Sequence, residues 1–556
     1  MLIHVRVTHL TMPNFKRVFS RLSRRVPPPS LPLPHQSLPL SLRHIPLHIQ
    51  VQVHTPSLPI LPPEVWLQIF RFATEDDTRF TPIDFPAKTT DTNEISFLDF
   101  PHSHSDTDVR LEYYLRSIRK KHTIMQVCKQ WSIIALQVLY ECIWIYKPAQ
   151  AHTLAKALSC EKDTETGTVL GIEKGHFIKR LHIETPPRER CSPNDLRIII
   201  DNTPCLEIFT DYRSVRRSVY ASSSNDPTSP THLLYAINQP NSSIRRLSWT
   251  NYDDIYFHLR LSPLLANVAS TLEFLELTFC NMDIHHLKAP LRGDPGPALC
   301  LPSLRSLKIC LHDATLAVLA NWDLPAIKNV SIVDADFSYA GEGFCKFFRT
   351  HGEKLVQLEL AHSSSIIEDH YLTIPVDPPT ATERNVHLAA WCPNLKEFIC
   401  SADAEWNWQN PDWIAPHALL LSHPNLQLIG VRDLDKRIHD EMSMNRSNPF
   451  FLLLSQIDSL LSRDSFPELL FIRDMSFESK LMRTEAYSDS VLNFWSKVVQ
   501  CCKDGGAWLE DYTGMNVTPK DIVRAQVKAM MRKKAQQEKR ELEKQRRNPL
   551  YHLSLS

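Results

Sequence analysis

Residues 301–309 read Leu301-Pro302-Ser303-Leu304-Arg305-Ser306-Leu307-Lys308-Ile309, a spacing of apolar-x-x-apolar-x-apolar with Pro two residues ahead of its first position. In an extended chain, side chains alternate between two faces, so Leu307 and Ile309 share one face while Lys308 takes the other. A strand this short cannot bury its apolar face alone. The same spacing returns at Ile178/Leu181/Ile183, Ile244/Leu247/Trp249, Leu272/Leu275/Leu277, Ile327/Val330/Ile332 and Leu355/Leu358/Leu360, with weaker copies starting at Leu206, Leu395, Leu426 and Leu469. Pro204, Pro325, Pro393, Pro424 and Pro467 repeat the position of Pro302. Successive starts lie 23 to 43 residues apart, which predicts irregular units of one strand and one return segment each. Stacked units would bury a continuous core. Leu275, Leu307 and Leu358 should fill the same slot of that core, and Glu276, Lys308 and Glu359 should stand exposed on a concave sheet face, free to read a partner.

Upstream of the array, Leu61-Pro62-Pro63-Glu64-Val65-Trp66-Leu67-Gln68-Ile69-Phe70-Arg71-Phe72-Ala73 places Pro in a first helical turn and spaces Val65, Ile69, Phe72 and Ala73 at helical intervals. Residues 74–110 turn polar, with Pro82, Pro86 and Pro101, and are expected to form a loop. A second apolar-periodic segment follows: Ile124, Val127, Cys128, Trp131, Ile134, Ala135, Val138 and Leu139, then Cys142-Ile143-Trp144-Ile145-Tyr146. Residues 1–57, rich in Pro, Ser, Leu and His, offer no periodic apolar face and are expected to be disordered.

Composition narrows the function. Only 12 glycines occur in 556 residues, and the single Gly-x-Gly, Gly341-Glu342-Gly343, lacks the third Gly of a dinucleotide fingerprint. The thirteen cysteines contain no Cys-x-x-Cys pair, which argues against a zinc cluster or disulfide framework and for a reducing compartment, cytoplasmic or nuclear. His285-His286 and His102-x-His104 lack metalloprotease spacing and read as solvated. No Gly-x-Ser-x-Gly elbow occurs. No enzyme activity and no cofactor are therefore expected. The formal charge is zero, yet residues 64–518 carry 44 basic against 58 acidic side chains, a net of −14, while both ends are basic. An acidic body does not suit phosphate binding, so no nucleic-acid partner is expected. The most apolar run, Pro449-Phe450-Phe451-Leu452-Leu453-Leu454, is stopped by Asp458 and reads as a buried helix, so no membrane span is expected either.

The pair of helical segments resembles the F-box, the docking motif of substrate receptors in SCF ubiquitin ligases. The matching positions are Leu61-Pro62, Glu64-Val65, Ile69-Phe70, then Val127-Cys128-Lys129-Gln130-Trp131, Ala135, Leu139-Tyr140 and Ile143-Trp144-Ile145. About fifty residues are inserted between the two halves, a departure from the compact motif, although each doubling of a loop costs only ~0.6 kcal/mol. The array resembles the leucine-rich repeats that many such adaptors carry. By resemblance, then, the chain is an α/β protein: an amino-terminal helical F-box followed by an irregular leucine-rich-repeat solenoid, a horseshoe. The implied organisation is an extension (1–57), a helical module (58–147) with an inserted loop near 74–120, a solenoid (170–475), a cap (476–518) and a basic helical or disordered tail (519–556). The resemblance implies docking to a Skp-type linker subunit, and through it a cullin, by Leu61, Pro62, Glu64, Val65, Ile69, Phe70, Val127, Cys128 and Trp131. Of these, Trp131 is expected to pack the module's own core. The solenoid would hold a target protein. The competing reading is a leucine-rich scaffold whose helical segment is only a cap.

Overall fold

The computed structural model describes residues 61–74, 96–99, 105–159, 174–186, 189–212, 214, 230–239, 242–251, 265–279, 298–310, 313–334, 342–362, 387–402, 420–435, 437–438, 450–476 and 488–547. The extension 1–57, both His pairs and residues 75–95 of the insertion lie outside them. The fold is mixed α/β, with twelve strands and twelve α-helices among the described residues. The strands are β1 (Cys142–Ile145), β2 (Arg180–Glu184), β3 (Ile208–Tyr212), β4 (Arg246–Asn251), β5 (Phe274–Phe279), β6 (Ser306–Cys310), β7 (Asn329–Asp334), β8 (Gln357–His362), β9 (Glu397–Ser401), β10 (Leu428–Arg432), β11 (Phe471–Asp474) and β12 (Trp508–Glu510). They form one sheet in sequence order, and every neighbouring pair is parallel.

Each of the ten motif starts lies two residues before a strand, from Ile178 before β2 to Leu469 before β11. The Pro has a local cause. In Thr203–Leu206, Leu301–Leu304, Cys392–Leu395 and Phe466–Leu469 the start residue's N–H donates to the carbonyl three residues back, each at 3.2 Å, with Pro at the second position of the turn. Its fixed φ suits that position. The next residue's N–H then reaches the preceding unit: Arg245 to Glu207, Glu273 to Arg245, Arg305 to Glu273, Lys328 to Arg305. The turn thereby sets the register. Leu181, Phe209, Leu247, Leu275, Leu307, Val330, Leu358, Phe398, Ile429, Ile472 and Leu509 fall in one continuous row of the core.

Return segments cover that row from one side. They include α4 (Pro148–Ser159), α5 (Pro193–Asp201), α6 (Pro230–Ile237), α7 (Asp313–Leu319), α8 (Glu342–His351), α9 (Leu388–Trp391), α10 (Phe451–Leu460) and α11 (Asp489–Asp504). Gly343, of the lone Gly-x-Gly, lies in α8 where a Cβ would meet the Asp313 carbonyl oxygen at 1.9 Å, so the glycine serves close approach of α8 to α7.

Three expectations need correction. The segment near 74–120 is not all loop: α2 (Ser105–Met125) occupies its second half, because no Gly or Pro interrupts it and Lys120, Lys121 and His122 stand near its last turn. The sheet begins at Cys142, not near 170, since Cys142–Ile145 pairs with β2 as a strand, and it extends through β12 into the expected cap. Finally, Glu276, Lys308 and Glu359 are buried, although each points away from the core row as expected. The tail forms a helix, α12 (Pro519–Arg547), whose Ala525 and Ala529 pack on Leu492 of α11.

Candidate functional site

The helical module comprises α1 (Pro63–Thr74), α2 and α3 (Lys129–Glu141). Pro63 opens α1, where a missing N–H costs nothing, and the Pro62 carbonyl accepts from the Val65 and Trp66 amides at 3.0 and 3.2 Å. Exposed Glu64 lies in the first turn, where a carboxylate complements the helix dipole. Trp66, Phe70 and Trp131 form an aromatic trio with ring centroids 4.9–5.7 Å apart, which packs with Ala135 and Val138 into the module's core. Cys128 caps α3, its thiol accepting from the Trp131 amide at 3.4 Å. Arg71 grips Glu141 with two hydrogen bonds, at 3.0 and 3.2 Å, and Ser117 of α2 donates to the Thr74 carbonyl at 2.9 Å.

Of the residues singled out in the sequence, Phe70 is buried and Leu61, Cys128 and Trp131 are half-buried, so they build the module. Val65 (41% exposed), Ile69 (39%) and Val127 (55%) face outward, and Pro62 is exposed beside them in sequence. Helix α1 therefore carries two apolar stripes: Trp66 and Phe70 inward, Val65 and Ile69 outward. Phe72, 71% exposed, extends the outward stripe and was missing from the expected site. Its position seven residues after Val65, almost two full turns, was the available signal.

Helix α2 joins the module to the sheet. Its Tyr114 hydroxyl accepts from the Trp144 amide of β1 at 3.1 Å, burial pushes that phenol's pKa up, and Arg110 sits 5.6 Å over the Trp144 ring while pairing with Glu184 of β2 at 3.5 Å. Trp144 opens a second row, on the face away from the return helices: Trp144, His182, Thr210, Ser248, Glu276, Lys308, Ser331, Glu359, Ile399, Gly430, Arg473 and Glu510 are successive register partners. Its charges pair. Lys308 meets Glu276 at 2.8 Å, Arg473 meets Glu510 at 2.7 Å, and Glu359 takes Arg432 and the Ser331 hydroxyl, the latter at 2.6 Å.

The far half of this face carries a piece of the insertion. Ser96 and the 3₁₀ turn Phe97–Asp99 lie against β5 and β8–β11, with Phe97 and Leu98 packed among Phe274, Ile399, Leu428 and Met475. The Phe97 N–H donates to Gln357 Oε1 at 2.6 Å, the Phe97 carbonyl accepts from Arg432 at 2.9 Å, and the Gln357 amide donates to the Ser96 hydroxyl at 2.7 Å.

Elsewhere, burial shifts several titratable groups that serve the fold. Burial pushes the thiols of Cys191, Cys392 and Cys502 up to about 12, which keeps them protonated. It raises Asp211 to about 7 and Asp474 to about 8, and lowers His351 to about 4, with Lys354 adding to the last effect. Among the described residues no group of three or more His, Cys, Asp or Glu is placed to hold a metal ion, and no helix is long and apolar enough to cross a membrane. No protein-family model matches the chain, and no curated protein matches it at a significant level.

Proposed function

We propose that the chain is a substrate-recognition adaptor of an SCF-type ubiquitin ligase, docking through α1 to a Skp-type linker subunit, and through it a cullin, while the strand array acts as a leucine-rich-repeat solenoid that holds a target protein. The observation that carries this reading is the outward stripe of Val65, Ile69 and Phe72, on a module whose own core is already filled by Trp66, Phe70 and Trp131. Apolar side chains left outside a satisfied core are the usual material of an interface. The role is one of proximity: the adaptor raises the effective concentration of target near the transferring machinery and performs no covalent step. Its place of work would be the cytoplasm or nucleus.

Capture of a Skp-type subunit tests the docking. Val65→Ala with Ile69→Ala should abolish pull-down while leaving far-ultraviolet circular dichroism unchanged, since apolar anchors commonly cost ~2 kcal/mol or more each on truncation. Undiminished capture would sink the adaptor reading. The scaffold alternative has its own support in Tyr114 and Arg110, which seat α2 on β1 and β2 as an amino-terminal cap would. In that case wild-type protein itself captures no linker subunit.

A further inference from the structure

Ser96, Phe97 and Leu98 are held as a bound peptide is held. Side chains alone do not account for the seat: the N–H and carbonyl of Phe97 are both read, by Gln357 on β8 and Arg432 on β10, 260 and 335 residues further along the chain. Arg432 is fixed in turn by Glu359, and Glu359 by Ser331, so the reading groups are pre-set by the sheet. Room for Leu98 depends on an absent side chain. A Cβ built at Gly430 would lie 3.3 Å from Leu98 Cδ2, and equally close to Ile399 and Met475, so anything larger than Gly there crowds the seat. A three-residue 3₁₀ turn has little stability of its own, and its conformation is imposed by the surface it lies on.

We propose that this part of the sheet face is a binding site for a Ser-aromatic-Leu segment, filled in the resting chain by its own Ser96-Phe97-Leu98, and that a partner protein bearing such a segment competes for it. This rests on the reading of the strand array as the target-holding surface, and names the chemistry of the target. Ser96–Leu98 stands only a few residues before α2, which is anchored on β1 and β2, so the tether is short and the internal segment acts at an effective concentration on the order of mM. A free peptide therefore meets a closed site in the wild-type chain.

The test uses a fluorescent peptide of residues 94–101, Glu-Ile-Ser-Phe-Leu-Asp-Phe-Pro, titrated by anisotropy into the full chain and into its Phe97→Ala/Leu98→Ala variant. The variant should bind at least about tenfold more tightly than wild type, because the internal competitor is gone. A control peptide with Ala at both positions should not bind. A variant that melts cooperatively yet binds no peptide, or binds the Ala peptide equally, overturns the proposal. If the double variant does not fold, Leu98→Ala alone is titrated. Failure of that variant to fold also overturns it, since the segment would then be an obligatory piece of core. Linker-subunit capture, measured on the same preparations, keeps the two ideas apart: lost peptide binding with retained capture breaks only this site, and the reverse breaks only the docking reading.

Discussion

The outer stripe of α1 and the second row of the sheet invert the ordinary relation between polarity and exposure. Val65, Ile69 and Phe72 are apolar and face outward; Glu276, Lys308 and Glu359 are charged and buried. The difference lies in partners. On the sheet Glu276 and Glu359 each have an opposite charge within reach, Lys308 and Arg432, and the segment around Phe97 covers the far strands. On α1 the inward side is complete, and the outward side stays partly exposed. Burial thus marks the charged row as part of the fold, and exposure sets the apolar stripe apart from it.

The largest effects should come from breaking the sheet. Leu307→Asp puts an unpaired carboxylate into the core row and removes packing besides; an uncompensated buried charge costs several kcal/mol against a typical whole-domain stability of ~5–15. Thermal melts should show loss of the cooperative transition. Lys308→Glu tests the second row. On an exposed face it would be silent, but here it sets two carboxylates together beside Glu276, and a loss of about 3–5 kcal/mol is expected, as for breaking other buried pairs. Adding Glu276→Lys, which restores the pair in reverse, should recover most of it. An unchanged melt for Lys308→Glu would return that face to solvent and remove the contrast.

The strands were legible in the sequence because their encoding is local. Leu304, Leu307 and Ile309 carry the alternation, and Pro302 the turn, within nine residues. The strands β1 and β12 were not, for equally local reasons: β1 follows α3 directly with no Pro turn before it, and β12 has three residues. Helix α1 was legible as a helix, but spacing alone cannot tell which of its two apolar stripes meets the core, and Phe70, expected among the docking positions, lies in the core. Burial of Glu276, Lys308 and Glu359 was out of reach, as it depends on pairings between strands and on a segment, Phe97–Asp99, whose sequence reads as loop. Nothing local announces that a turn will sit on residues 260 positions away.

A middle-sized effect should appear on the pH axis. Asp474, at the end of β11, is held up at about 8 by burial, against the hydrogen bonds from the Ser476 amide and hydroxyl, with Asp435 and Asp511 raising it further. The unfolded chain loses this proton near pH ~4, so between about 4 and 8 the native state binds the extra proton and stability falls as pH rises through that window. Asp474→Asn keeps an acceptor for Ser476 and removes the titration. The variant's melting temperature, relative to wild type, should therefore climb from pH 5 to about pH 8 and level off above it. A constant difference would mean that the carboxyl is not protonated in the fold.

The smallest effect on stability should be at the outward stripe. Substitutions at exposed positions away from special contacts usually stay within ±0.5 kcal/mol, so Val65→Ser with Ile69→Ser should melt about where wild type does. One residue further along the helix the outcome reverses. Trp66 packs against both Phe70 and Trp131, and Trp66→Ala, by leaving a cavity in the module's core, should cost about 3–5 kcal/mol. Chemical denaturation monitored by tryptophan fluorescence reports on both, since Trp131 remains in each variant. Equal losses for the Val65/Ile69 pair and for Trp66 would mean that the stripe packs on some other part of the chain. The site for a second protein would then have to be sought elsewhere. A silent Val65/Ile69 pair beside a damaging Trp66 would leave Val65 and Ile69 with no role in the fold, and apolar side chains that the fold does not need are ones that a partner can use.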